Sequence, residues 1–139
     1  MKKGKLLNSE ISSCISKLGH TDTVTIGDCG LPIPDCVKRI DLCLTKGIPE
    51  FIPVLLTVLD EMAVEKIILA EEIKVKNREL NDKILEIFAK IEKNENKKID
   101  VEYISHEEFK IKTASSKAVI RTGEYKPFAN IILVSGVTF

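Results

Sequence analysis

Helix-type and strand-type hydrophobic patterns alternate along most of this 139-residue chain. Runs typical of short strands surround Val24 and Ile26 and then recur at residues 64–70, 99–103, 117–121 and 130–135. Helical spacing separates most of these strands. Alternation of this kind is typical of α/β proteins, in which helices flank a mainly parallel sheet. The length favours one domain, so we expect a single α/β domain over residues 1–139.

Four segments have the spacing or the capping signal of a helix. They cover residues 8–19, open at Pro49, cover residues 77–93 and begin at Ser105. Ser105 and Glu108 have the spacing of a capping box, which places His106 in the first turn just beyond a strand. Pro32 and Pro34 predict an extended loop between the first strand and the second helix.

Charge and hydropathy exclude several classes of protein. The chain has 21 Lys and Arg against 21 Asp and Glu, without the basic excess that usually marks a nucleic-acid binder. No run approaches the ~18 apolar residues of a membrane span, and MKKGKLLNSE lacks the apolar stretch of a signal peptide. We therefore expect a cytoplasmic protein with no nucleic-acid partner and no membrane insertion.

Motifs that would specify a phosphate, metal or redox site are absent. The GDCG stretch at residues 27–30 matches neither a dinucleotide fingerprint nor a P-loop. The four cysteines form no CxxC pair, which argues against zinc or thioredoxin-like chemistry, and we interpret them as ordinary reduced residues. A metal site built from His20, His106 and Asp28 is conceivable, but the spacing gives it no specific support.

Two ionisable residues follow the ends of predicted strands. Asp28 ends the first strand, and His106 follows the strand at residues 99–103. Ligands of open α/β sheets bind beyond the carboxyl ends of strands, so parallel strands would bring both side chains to one crevice. His20, the only other histidine, follows a helix stop. Histidine titrates near neutrality, so the residues favour acid–base chemistry without a nucleophile or a metal.

Six segments make the sequence resemble the D-ribose pyranase and fucose mutarotase family along essentially its whole length. They are MKKGKLLNSEISSCISKLGHTDTVTIGDCGLPIP at the N-terminus, RIDLCLTKGIP at 39–49, EMAVEKIILAEEIK at 61–74, HEEFK at 106–110, IRTGEYKPFANIIL at 120–133 and the terminal GVTF. They keep the order and spacing of the family, so the resemblance is more specific than any single motif.

The resemblance implies an α/β sandwich that assembles into a ring, typically two stacked pentamers. It implies a cytoplasmic isomerase that interconverts the pyranose and furanose forms of D-ribose. Such an enzyme supplies the furanose to ribokinase, after a ribose transporter has delivered the sugar. It needs no cofactor, and its sugar site lies near the boundary between neighbouring subunits.

The resemblance also assigns roles to individual residues. His20 matches the proton donor, and Lys110 matches a further sugar contact, although a solvated lysine is an equal alternative. The residues that match positions holding the sugar are Asp28, His106, Phe128 and Asn130, with Ala129 contributing through its backbone. Phe128 departs from the family, which commonly has tyrosine there. We interpret Arg121 and Glu124, in the same segment, as structural or interface residues, since a local ion pair explains them as well as a sugar contact does.

Two alternatives to the pyranase activity stay open at this point. One is fucose mutarotase-type anomer exchange, and the other is a non-catalytic ribose-binding partner of the transporter. The C-terminal IILVSGVTF is apolar almost to its last residue, so we also expect the tail to be buried, at a subunit contact.

Overall fold

A computed structural model describes all 139 residues, and it contains eleven helices and strands. In chain order these are α1 (Ser9–Ile15), β1 (Thr23–Gly27), β2 (Lys38–Asp41), α2 (Phe51–Leu59), β3 (Val64–Ala70), α3 (Ile73–Lys76), α4 (Arg78–Glu95), β4 (Asp100–Ile104), α5 (His106–Thr113), β5 (Ala118–Arg121) and β6 (Ile131–Ser135). No helix among them combines the length and apolar character needed to cross a bilayer.

The strands form one sheet in the order β2-β5-β1-β6-β3-β4. Five strands run in the same direction, and β6 runs antiparallel to both of its neighbours, β1 and β3. The sheet is therefore mixed, although mainly parallel. β6 is reversed because a loop, rather than a crossover helix, connects it to β5. The chain therefore re-enters the sheet at the end where β5 finishes.

Alternating side chains of the central strands supply both faces of the core. Ile67, Leu69 and Leu133 pack in the larger apolar cluster with residues of α1, α2 and α4. Ile68 and Ile132, which point to the other face, pack in a smaller cluster with Phe109 of α5. This arrangement of helices on both faces gives the layered α/β architecture that the alternation predicts.

The helix and strand predictions are mostly confirmed, with three corrections. The edge strand β2 was missed, because its KRID sequence has only one buried residue and no strand-like alternation of apolar side chains. Pro49 does not open α2, since Glu50 is the N-cap and Pro49 precedes it. The short helix α3 has no counterpart among the predicted helices. Phe139 is fully exposed in the single chain, so burial of the tail at a subunit contact stays a prediction.

Candidate active site

A cavity of about 320 Å³ lies beyond the carboxyl ends of β1 and β4. Asp28 enters it from the end of β1 and His106 from the first turn of α5, as the strand ends predict. Glu124, Phe128 and Asn130 enter it from the loop between β5 and β6. The loop that leads into the reversed strand β6 therefore supplies about half of the residues that line the cavity.

Asp28 and Asn130 hold each other through two hydrogen bonds. The Asp28 backbone N–H donates to Asn130 Oδ1 at 2.9 Å, and Asn130 Nδ2 donates to Asp28 Oδ2 at 2.9 Å. The Gly30 N–H donates to the other carboxylate oxygen of Asp28, also at 2.9 Å. A Cβ on Gly27 would lie 2.6 Å from Leu31 Cδ2 and 3.0 Å from Asn130 Oδ1, so a larger residue there would require the Leu31 side chain and the Asn130 amide to shift. Both side chains are therefore fixed in orientation before a ligand arrives.

Burial raises the pKa of the Asp28 carboxyl, against the opposing effect of its hydrogen bonds from Gly30 and Asn130 and of nearby His106. A raised pKa means that the folded chain binds this proton more tightly than the unfolded chain does. The contribution of Asp28 to stability is therefore present below the ordinary aspartate value of about 3.9 and is lost as the pH rises through the raised value.

Replacing Asp28 with asparagine should remove this pH dependence. The free energy of unfolding of Asp28→Asn, relative to the unmodified protein, should increase as the pH rises from about 3 to neutrality. Urea denaturation at a series of pH values measures the difference. A difference that decreases over this range would show that the carboxylate is favoured in the folded state.

His106 has a fixed backbone and an unsatisfied ring nitrogen. The capping box of Ser105 and Glu108 starts α5 at His106, and the His106 N–H donates to both carboxylate oxygens of Glu72 at 3.0 and 3.2 Å. The ring meets Phe128 edge-on, with the ring centroids 5.0 Å apart. Its Nδ1 is buried and has no hydrogen-bond partner. A buried polar atom without a partner typically costs ~1–3 kcal/mol. His106 itself lines the cavity, where its ring can contact a ligand.

Phe128 has a strained backbone. Its φ of 59° lies in the left-handed region, which costs about 1–3 kcal/mol for a residue other than glycine. The adjacent Pro127 carbonyl accepts a hydrogen bond of 2.9 Å from Asn77 Nδ2, which ties the loop to the start of α4. Strain of this kind persists where the surroundings hold a side chain in place, here an aromatic ring on the cavity wall.

Arg121 and Glu124 do not pair with each other. Arg121 pairs with Asp41 at 3.1 Å and donates from Nε to the Cys29 carbonyl. The Glu124 carboxylate accepts from the backbone N–H groups of Phe51, Tyr125 and Lys126. The structural interpretation thus fits both residues, although not through an ion pair between them. Glu124 also lines the cavity, as the alternative of a sugar contact would require.

Lys110 and Ala129 lie close to the cavity without lining it. Lys110, one turn beyond His106, pairs with Glu107 at 2.6 Å. Ala129 is fully buried between the two lining residues Phe128 and Asn130. Their roles in sugar binding stay predictions.

His20 lies at the opposite end of the sheet from Asp28. It precedes β1, whereas Asp28 follows it, and a five-residue strand spans roughly 13 Å at about 3.3 Å per residue. His20 lines a separate depression with Met62 and the tail at 136–139, and its Nε2 lies 2.8 Å from Glu65 Oε2. The three residues considered for a metal site are therefore not assembled within one chain.

Comparisons with known proteins match this chain over its full length. A family model described as the RbsD / FucU transport protein family matches residues 1–138. This chain belongs to that family. RbsD / FucU relatives named D-ribose pyranase include those of Cronobacter sakazakii, 55% identical, and Photorhabdus laumondii, 58% identical, each aligned over 100% of both chains.

Solved structures of the RbsD / FucU family share the fold. Bacillus subtilis RbsD, solved in complex with D-ribose, superimposes with a TM-score of 0.91 at 47% identity over 100% of both chains. Bifidobacterium longum FucU superimposes with a TM-score of 0.74 at 20% identity over 96% of each chain. The second match shows the fold alone, whereas the first joins the fold to a close sequence relationship.

Proposed function

We propose that this protein is an isomerase that interconverts the pyranose and furanose forms of D-ribose. The observation that carries the proposal is 53–58% identity over the whole chain to proteins named D-ribose pyranase. The cavity is consistent with it, because it is lined by a fixed carboxylate–amide pair and by the imidazole of His106, all of which hydrogen-bond to hydroxyls.

The reaction needs only proton transfers at the sugar. A base removes the proton of the anomeric hydroxyl, an acid protonates the ring oxygen, and the bond from C1 to that oxygen breaks to give the free aldehyde. The C4 hydroxyl oxygen then bonds to C1, losing its proton while the aldehyde oxygen gains one. No electrons leave the sugar, so we propose that no cofactor takes part. A positioned acid–base group contributes typically ~10²–10⁴-fold to such a step.

The proposed roles of the site residues are those that the family resemblance implies. Asp28, Asn130 and His106 would hold hydroxyls, and the Phe128 ring would cover a C–H face of the sugar. Ala129 and Lys110 are proposed to add contacts through the backbone and the ammonium group. His20 is proposed as the proton donor, although it lies at the far end of β1 from this cavity.

We propose that a neighbouring subunit supplies His20. The separation of His20 from Asp28 within one chain supports this, and so do exposed apolar side chains that a monomer would leave in water. Leu7, Leu44, Ile48 and Phe139 are 67%, 80%, 53% and 100% exposed. A subunit contact would remove such side chains from water if they lie within it. The proposed assembly is a ring of subunits, two stacked pentamers, with the C-terminal tail at a contact.

The proposed cellular setting follows from the reaction. A cytoplasmic pyranase would act between a ribose transporter, which delivers the sugar, and ribokinase, which uses the furanose. Neither a nucleic acid nor a membrane takes part in this proposal.

Saturation-transfer proton NMR on equilibrated ribose tests the activity. Catalytic amounts of protein should speed the transfer of magnetisation between pyranose and furanose anomeric signals. Acceleration of fucose anomer exchange alone would assign the mutarotase activity instead. Ribose binding without acceleration of either sugar would favour the non-catalytic partner of the transporter.

The substitution Phe128→Tyr should strengthen ribose binding. Phe128→Tyr adds a hydroxyl to the cavity wall, and a hydrogen bond to sugar is worth about 0.5–1.5 kcal/mol. The dissociation constant for ribose, measured by calorimetry, should therefore fall by roughly 2-fold to 10-fold with the activity retained. An unchanged or higher dissociation constant would show that the missing hydroxyl does not contact the sugar.

A further inference from the structure

The side chain that contacts His20 comes from an irregular point of the sheet. In the β3–β6 ladder Val64 pairs with Ser135 and Lys66 pairs with Val134, so Glu65 has no partner residue. A β-bulge of this kind redirects a side chain, and bulges are over-represented next to active sites. Glu65 lies in this bulge, and one of its carboxylate oxygens lies 2.8 Å from His20 Nε2.

The backbone on the other side of this contact is strained. Thr21, next to His20, has a φ of 67°, an outlier for a β-branched residue. The Thr21 N–H donates to the Ser135 carbonyl at 2.9 Å, and the Ser135 N–H donates to the Asp22 carbonyl at 2.8 Å. Strain that the surrounding structure holds in place is characteristic of functional sites. The His20 segment is thus anchored to β6 in a conformation that threonine would otherwise avoid.

A close approach of the tail completes the arrangement. A Cβ on Gly136 would lie 3.2 Å from Glu65 Cβ and 3.3 Å from Glu65 N, so glycine lets the chain after β6 pass tightly over the bulge. The Gly136 N–H donates to the Ala63 carbonyl at 2.9 Å. The bulge, the strained threonine and the close glycine all converge on the pairing of Glu65 with His20.

We propose that Glu65 is a positioning residue that fixes the ring orientation and tautomer of His20. This inference rests on the proposed function, in which His20 transfers protons to the sugar. An ionised carboxylate only accepts hydrogen bonds, so the contact requires the proton of the neutral imidazole to be on Nε2. Nδ1, which makes no hydrogen bond within the chain, is then the atom presented to a neighbouring subunit.

This arrangement gives Nδ1 a defined part in the proton transfers. In the neutral ring Nδ1 is the free acceptor, and in the imidazolium it carries the proton that goes to the sugar ring oxygen. The proton on Nε2 stays between His20 and Glu65 throughout. Without Glu65 the neutral ring would populate both tautomers and several orientations, and only one of these has a basic Nδ1 aimed outward.

The test compares Glu65→Ala and Glu65→Gln with Glu61→Ala as the matched control. Glu61 lines the same depression but pairs with Lys2 rather than His20. Loss of a positioned acid–base orientation should lower kcat for ring-form exchange by about 10-fold to 100-fold in Glu65→Ala, with KM for ribose changed by less than about threefold. Glu65→Gln should recover much of the rate, because its amide oxygen still accepts from Nε2–H. The control should keep the unmodified rate.

Nitrogen-15 NMR of the His20 side chain measures the tautomer of the ring, which would not change if Glu65 had only a structural role. We expect the neutral ring to be the Nε2–H tautomer in the unmodified protein and a mixture of tautomers in Glu65→Ala. An unchanged tautomer with an unchanged kcat in Glu65→Ala would overturn the inference. A change in KM alone, or dissociation of the assembly seen by light scattering, would also overturn it. If the unmodified protein does not accelerate ribose exchange, the proposed function fails, whereas the tautomer still tests the contact.

Discussion

His20→Ala is expected to slow catalysed exchange between ribose pyranose and furanose by at least about 100-fold, because a positioned acid–base group contributes ~10²–10⁴-fold. The dissociation constant for ribose should change much less, since His20 lies outside the cavity formed by Asp28, His106 and Asn130. Saturation-transfer NMR measures the exchange rate, and calorimetry measures binding on the same sample.

His106→Ala provides the contrasting variant for this experiment. His106 lines the cavity and is proposed to hold a sugar hydroxyl, so its loss should weaken ribose binding as well as the rate. A His20→Ala protein that retains the unmodified exchange rate would remove His20 from the chemistry. The same result would remove the reason for a carboxylate partner at Glu65.

Gly123→Ala should cause the largest loss of stability among single substitutions near the site. A Cβ on Gly123 would lie 2.3 Å from the Ile48 carbonyl oxygen and 2.5 Å from its carbon. These are backbone atoms, and they are held in place because the Gly123 N–H donates to Pro49 and the Gly47 N–H donates to Gly123. The clash can be relieved only by moving the loop that carries Glu124 and Phe128.

Overpacking of this kind costs ~1–3 kcal/mol, and the loss of backbone hydrogen bonds adds to it, so we expect about 3 kcal/mol. Urea denaturation at matched protomer concentration measures the change in the free energy of unfolding. Gly19→Ala is the control, because its Cβ would meet nothing closer than Asp22 Oδ2 at 3.6 Å. A Gly123→Ala protein as stable as this control would show that the Ile48 segment yields easily.

Local patterns in the sequence predict the elements whose signals are themselves local. The apolar run at 64–70 is β3 with the same bounds, and the spacing of Ser105 and Glu108 is a capping box that starts α5 at His106. The reversal of β6 has no local sequence signal, because the direction of a strand depends on the end at which the chain re-enters the sheet. The edge strand β2 is set by pairing with β5 rather than by its own polar residues.

Some features of the site likewise have a local sequence signal, and others depend on the folded chain. Asp28 and His106 follow strand ends, so a rule about parallel sheets places them in one crevice without any knowledge of the fold. His20 lies far from this crevice because it precedes β1, whereas Asp28 follows β1. The resemblance to the family, which assigns His20 to the same sugar site, does not indicate this separation. Glu65 has no local signal at all, since a bulge in strand pairing brings it to a histidine 45 positions earlier.

Completion of the site between neighbouring subunits is tested most directly by mixing two inactive variants. His20→Ala subunits keep an intact cavity, and Asp28→Asn subunits keep an intact His20. Each variant alone should be inactive or nearly so in the NMR exchange assay. Co-expressed at equal levels, they should form assemblies in which about a quarter of the sites combine both intact halves, with a corresponding share of the unmodified rate. Mixed assemblies as inactive as the separate variants would contradict a site shared between neighbouring chains.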